Sequence, residues 1–177
     1  MRKKRYFNLT VIIFIAAALA VSYYFAAKSA AENLCTAFLE LKSYRMLPEA
    51  YTPNGEDSEI SDHELARLKV NYARQCDKIF TESRAAYEKK SGYKTLDWGA
   101  EKEFIALSYQ YRITKIHDFR FWLWNVAEIC VEGELSEESY DYRYETVLPY
   151  ENNFCYTFEL YMDTDGNWKI NSYRGGT

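Results

Sequence analysis

Three residues in MDTDGNWKIN (162–171), Asp163, Asp165 and Asn167, occupy the alternate positions that open a calcium-binding EF-hand loop. A loop beginning at Asp163 needs glycine at its sixth position and an acid at its twelfth, and the chain has Trp168 and Arg174 there. The same letters set Asp165-Gly166 between two runs that alternate apolar and polar residues, which is the signature of a β-hairpin turn with glycine supplying the positive φ. A hairpin turn at Asp165 and Gly166 is expected, and no metal site.

His63 and His117 are the only histidines of the chain. His63 stands in SDHEL, and HELAR lacks the second histidine of a zincin helix, so solvation at a helix start is the expected role. His117-Asp118 falls between two strand-like runs, where a turn is expected rather than an acid/base pair. The sequence has no nucleophile elbow, phosphate-binding glycine loop or dinucleotide fingerprint. It assigns no catalytic residue and no cofactor.

DFRFWLWN (118–125) carries a different kind of chemistry. In an extended chain Phe119, Phe121 and Leu123 share one face, while Arg120, Trp122 and Trp124 share the other. If the first face is packed, the second exposes two indoles and a guanidinium, the side chains that dominate binding energetics. Arg120, Trp122 and Trp124 are therefore a candidate patch for a protein or glycan partner. Cys35, Cys76, Cys130 and Cys155 permit three pairings. Two fall in the helical half and two in the strand half, so Cys35–Cys76 and Cys130–Cys155 are the favoured disulfides, with buried free thiols as the alternative. No two cysteines have the close spacing of a structural zinc site.

The elements that position these residues begin at the N-terminus. Four positive charges, Arg2 to Arg5, precede an uncharged run from Tyr6 to Ala27. At ~1.5 Å per residue such a run crosses the roughly 30 Å of a bilayer core. The basic flank outweighs Lys28 on the far side, which puts residues 1–5 in the cytoplasm and everything after residue 28 outside it. The domains expected are a basic tail (1–5), a transmembrane anchor or signal peptide (6–28) and an extracytoplasmic α+β domain (29–177). The apolar run exceeds the usual signal-peptide core, which favours a single-pass anchor in the cell membrane over a cleaved signal and secretion. Disulfides can persist on that side.

All 26 acidic residues lie beyond the apolar run against 18 of the 22 basic ones, Lys28 included, leaving the chain after Ala27 at −8. Nucleic acid is a poor partner for that surface. Between Glu128 and Glu151 Arg143 is the only Lys or Arg among eight carboxylates, which reads as a solvated sheet face or, more sharply, as a seat for a cationic partner.

Residues 30–46 place Leu34, Phe38 and Leu41 at helical spacing, and Pro48 stops that helix. PEAYTPNGEDSEIS reads as an exposed loop. Ser61 with Glu64 forms a capping box for a long helix from Asp62 to about Lys90, whose stripe is Leu65, Leu68, Tyr72, Cys76, Ile79, Phe80 and Tyr87. A short helix is expected over 99–107. From Tyr111 onward β-branched and aromatic residues alternate, predicting four or five antiparallel strands. In FCYTFELYM, Tyr156, Phe158, Leu160 and Met162 form the packed face.

Helices followed by an antiparallel meander make an α+β fold: an N-terminal transmembrane helix, then two or three helices on a curved four- to five-stranded sheet. The first domain helix running into FLELKSYRMLPEAYT, the long second helix and the terminal pair YTFELYMDTDGNWKINSYR resemble the nuclear-transport-factor-like, or cystatin-like, α+β cone over roughly residues 30–174. The long second helix and the polar acidic loop before it depart from that pattern at the mouth of the cone. Membrane-anchored members of the superfamily include components of conjugation and secretion channels and of sporulation assemblies. The resemblance thus implies a non-enzymatic envelope module with a protein partner. Its ketosteroid-isomerase-like members imply the alternative, a cone with an internal cavity for a small ligand, using an Asp base and a Tyr or protonated-acid donor.

Overall fold

The structure, a computed structural model, describes residues 2–44, 46, 60–96 and 104–176. Most of the acidic loop predicted before Ser61 lies outside the described residues. Helix α1 runs without a break from Arg2 to Ser43, so the apolar segment and the first domain helix are one rod. Among the described residues it is the one helix, over Leu9–Ser43, long and apolar enough to cross a membrane. Leucine, isoleucine and phenylalanine side chains project from all sides between Leu9 and Phe25. A helix that is apolar all round needs an apolar surround. Burial within the protein starts at Ala27 and continues through Ala31, Cys35, Phe38 and Leu39, one stripe at helical spacing.

Two further helices, α2 (Asp62–Ile79) and α3 (Glu82–Thr95), stand where the sequence predicts one. The break is made by the sheet. Phe80 is extended (φ −103°, ψ 157°) and bridges Ile170, Thr81 N–H donates to the Ile170 carbonyl at 3.0 Å, and Lys169 Nζ takes the Asp77 and Lys78 carbonyls that the broken helix leaves free. The turn at 80–81 rotates the apolar stripe: Tyr72, Cys76 and Ile79 are buried as expected, but Tyr87 is exposed and α3 buries Ala85 and Glu88 instead. Gly92 does not end the run, because α3 continues to Thr95 with the glycine against the Tyr72 ring. Only half of the capping box forms. Ser61 Oγ accepts from Glu64 N–H at 3.2 Å, while the Glu64 carboxylate turns to Arg67 at 2.6 Å.

The strands are β1 (Phe104–Ile116), β2 (Arg120–Leu123), β3 (Val126–Asp141), β4 (Thr146–Met162) and β5 (Trp168–Gly176). They form one antiparallel sheet in the order β1-β3-β4-β5, with β2 also on β3. Residues 104–107, expected as the end of a short helix, begin β1; residues 97–103 lie outside the described residues. Pairing with β3 explains the outcome, since Phe104 to Ala106 run opposite Asp141 to Ser139. Strands β1 and β2 are two lengths of a single edge, interrupted at residues 117–119 and facing successive stretches of β3. Register shifts in β1, β2 and the β4–β5 pair bend the sheet.

The concave inner face is set by period-two alternation: Ala127, Ile129 and Val131 on β3, Phe154, Tyr156, Phe158 and Leu160 on β4, Trp168 and Ile170 on β5. Phe38 of α1 fills its centre, edge-on to Phe80, Tyr156, Phe158 and Tyr173 at centroid distances of 6.2, 5.2, 5.0 and 4.6 Å. Burying a Phe in such a nest stabilises the fold by ~2–3 kcal/mol. The described helices that contact the sheet do so on this face, and the outer face carries the even-numbered residues of β3.

A candidate interaction surface on the outer face of the sheet

The turn that opens as an EF-hand is a hairpin turn. Asp163 Oδ1 accepts from the N–H groups of Asp165 at 3.0 Å and Asn167 at 2.8 Å, and Gly166 has φ 83°. Those backbone donors hold the Asp163 carboxyl below the usual carboxylate range. No group of three or more metal-ligating side chains occurs among the described residues.

The rings of Phe38, Phe80, Tyr156, Phe158 and Tyr173 occupy the centre of the inner face. Two carboxylates are buried among the described residues: Asp141, which accepts from the Arg143 N–H at 2.8 Å, and Glu88, which is tied rather than poised. Arg84 pairs with it at 2.5 Å, and the Tyr173 hydroxyl donates to the same oxygen at 3.1 Å. Burial, with Glu88 beside it, pushes the Tyr173 hydroxyl up to about 12. His63 is exposed at the start of α2. His117 interrupts the β1–β2 edge: its N–H donates to the Cys130 carbonyl at 2.8 Å and its Nε2 meets Glu132 at 2.8 Å.

The four cysteines are free thiols, which corrects the expected disulfides. Cys35 and Cys76 are fully buried among different neighbours. Burial first, then Glu32, raises the Cys35 thiol to about 12, and burial raises the Cys76 thiol to about 11 despite its hydrogen bond with Tyr72. Cys130 and Cys155 share the outer face with sulfurs 3.8 Å apart, a non-bonded distance, because Cys155 stands opposite Glu132 and only diagonal to Cys130.

The acidic run of β3 meets partners from elsewhere in the sheet and its edge. Glu128 faces Arg174 of β5 at 3.4 Å, Glu132 faces His117, Glu134 pairs with Arg112 of β1 at 2.6 Å, and Glu138 accepts from Ser108 at 3.2 Å. The solvated sheet face is what forms, laced by cross-strand pairs worth ~0.2–1 kcal/mol each. Two open concavities lie along it. One, of about 580 Å³, is lined by Arg112, Glu134, Ser136, Glu151 and Asn152 among others. The other, about 490 Å³, lies between Trp122, Val126, Glu128, Thr157, Glu159 and Arg174.

The structure divides the three residues read as one patch. Arg120 is exposed but bound to Asp118, whose carboxyl its guanidinium holds down, so it does not present a free cation. Trp122 is 63% exposed and forms a wall of the second concavity. Trp124 is 72% exposed and sits in the β2–β3 turn, away from that wall. The expected alternation fails at Leu123. Phe119 is buried and Phe121 packs on the core, but a register shift between Phe121 and Leu123 turns Leu123 outward to 63% exposure. No single-residue pattern could have shown that bulge.

No protein-family profile matches the sequence, and no curated protein matches it. The likeness lies in the fold. The crystal structure of the intermembrane space region of the chloroplast protein ARC6 superposes with a TM-score of 0.51 and 14% identity, covering 83% of this chain and 94% of that one. An NTF2-like protein involved in plasmid conjugation overlays more loosely, with a TM-score of 0.37 and 10% identity over 61% of this chain and 40% of that one. The ARC6 superposition places this chain among α+β folds of that kind.

Proposed function

We propose that the protein is a non-enzymatic, single-pass module of a bacterial cell envelope. Residues 6–28 cross the membrane, residues 29–177 stand outside the cytoplasm, and the outer face of the sheet receives a protein partner within a conjugation, secretion or sporulation assembly. One observation carries the reading. The inner face of the cone is filled with aromatic rings, while the outer face is left open with Trp122 standing over a concavity rimmed by Glu128, Glu159 and Arg174. An exposed indole beside paired charges has the composition of a binding hot spot with a polar rim. The ring-filled centre disfavours the ligand-binding or isomerase-like alternative, and the buried Glu88 is already paired with Arg84 and Tyr173.

The test is site-specific photocrosslinking in native membranes from Thr157, on the floor of the concavity, compared with a probe at Arg67 on α2. A discrete adduct from position 157 that Trp122→Ala abolishes supports the reading. The same adduct in wild-type and Trp122→Ala chains, both folded, sinks it.

A further inference from the structure

The β2–β3 turn is held against the outer end of the apolar helix. Tyr23 Oη donates to the Trp124 carbonyl at 2.5 Å and its ring stacks on Phe121 at 5.7 Å with an interplanar angle of 20°. Tyr24 meets Phe119 and Phe121 edge-on at 5.6 and 6.0 Å. Tyr23 lies ~27 Å along the helix axis from Arg5, at ~1.5 Å per residue, and the apolar core of a bilayer is roughly 30 Å thick. Whatever touches Tyr23 therefore sits at the boundary between acyl chains and headgroups. The Trp124 carbonyl meets it there, and the side chains of Trp124 and of Leu123 beside it are exposed.

We infer that Leu123 and Trp124 form a foot that enters the outer-leaflet interface of the bilayer, so that the domain stands on the membrane at two points, α1 and this turn. The inference rests on the anchor reading above. Three features fit a lipid occupant better than a protein one. Tyr23, Tyr24 and Trp124 make the aromatic belt that membrane proteins place at this depth. The backbone carbonyls of the turn are already taken, that of Trp124 by Tyr23 and that of Asn125 by Met162 N–H at 2.9 Å, as a medium short of water requires. Of the charges on either side of the turn, Asp118 and Arg120 bind one another and Lys28 pairs with Glu32 at 3.8 Å just above, at headgroup level. Trp122 stays on the outer face, clear of lipid and open to a partner.

The full chain reconstituted in phosphatidylcholine vesicles tests this with lipids brominated high on the acyl chain, which quench indoles at that depth. Trp124→Phe is expected to remove at least about half of the bromolipid-quenchable fluorescence, while Trp122→Phe leaves that component in place and removes an iodide-quenchable one. Both side chains are exposed, so neither substitution threatens the fold. A Trp124 that iodide reaches and bromolipid does not, in a chain that resists alkaline extraction, overturns the foot alone. A chain that alkaline extraction releases overturns the anchor and the foot with it.

Discussion

Removing Arg84 should cost the domain more than any exposed charge. Glu88 is 7% exposed, and its carboxylate has two partners, Arg84 at 2.5 Å and the Tyr173 hydroxyl at 3.1 Å. The guanidinium also lies 4.4 Å over the Tyr173 ring. Arg84→Ala leaves a buried carboxylate with one neutral donor. Breaking a fully buried pair costs ~3–5 kcal/mol, but the Arg84 side chain is 23% exposed, so solvent screening brings the figure to about 2–3 kcal/mol. Loss of the cation–π contact adds ~0.5–1 kcal/mol. The sum is about 3 kcal/mol, or a fall of ~6–12 °C in Tm for a domain of this size. Glu88→Gln, which keeps an acceptor for Tyr173 but removes the charge, should cost about 1–2 kcal/mol. The double variant Arg84→Ala/Glu88→Gln should be less destabilised than the two singles together, because the unpaired charge is gone. Urea titration of the full chain in mild detergent, followed by fluorescence and circular dichroism, gives all four corners of the cycle. A loss below ~1 kcal/mol in Arg84→Ala, or a coupling energy near zero, would refute the claim that this ion pair is held out of water.

Four further outcomes follow from particular contacts. A Cβ at Gly133 would lie 2.3 Å from the Arg112 carbonyl and 2.3 Å from the Phe154 ring, so Gly133→Ala should destabilise by about 2–3 kcal/mol in the same titration, with no relief from side-chain motion alone. Because the Tyr173 hydroxyl is raised to about 12 from an unfolded value near ~10, its contribution is whole below the lower value and fades as pH climbs to the upper one. Alkaline unfolding curves of Tyr173→Phe should lack that slope. The Asp163 carboxyl is depressed, so its support of the turn is present above the unfolded pKa and lost as pH falls through the folded one; amide shifts of Asp165 and Asn167 in an NMR titration report it, and calcium should leave them unmoved. Impermeant maleimide applied to intact cells should modify Cys155 first, whereas Cys35 and Cys76 react only in denaturant.

The parts of the fold that local pattern dictates were legible in the residues. Alternation in FCYTFELYM names the packed face of β4, and Asp-Gly between alternating runs names the β4–β5 turn, since both depend on neighbours two positions away. The uninterrupted apolar run likewise announces the N-terminal half of α1. What escaped depends on contacts remote in sequence. Nothing near Phe80 breaks a helix; the break comes from Ile170, ninety residues on, offering its carbonyl to Thr81. The acidic run on β3 looks like a field of unopposed charge until Arg112, His117 and Arg174 arrive from other strands. In DFRFWLWN the structure divides the candidate patch. A bulge at Leu123 and a tyrosine from α1 separate Trp122 from Trp124.

The continuity of α1 bears on how the proposed module would meet a partner. Phe38 sits in the middle of the core and Tyr23 at the outer end of the apolar segment, with one rigid helix between them and no hinge. A domain on a flexible leash samples a volume above the membrane and trades orientation for reach. One mounted on a rod samples only its own lateral drift and its spin about the membrane normal. Its binding face is then always presented at the same height and the same tilt. Partners fixed in the same membrane meet it with most of the orientational search already done, and partners free in solution gain no such advantage.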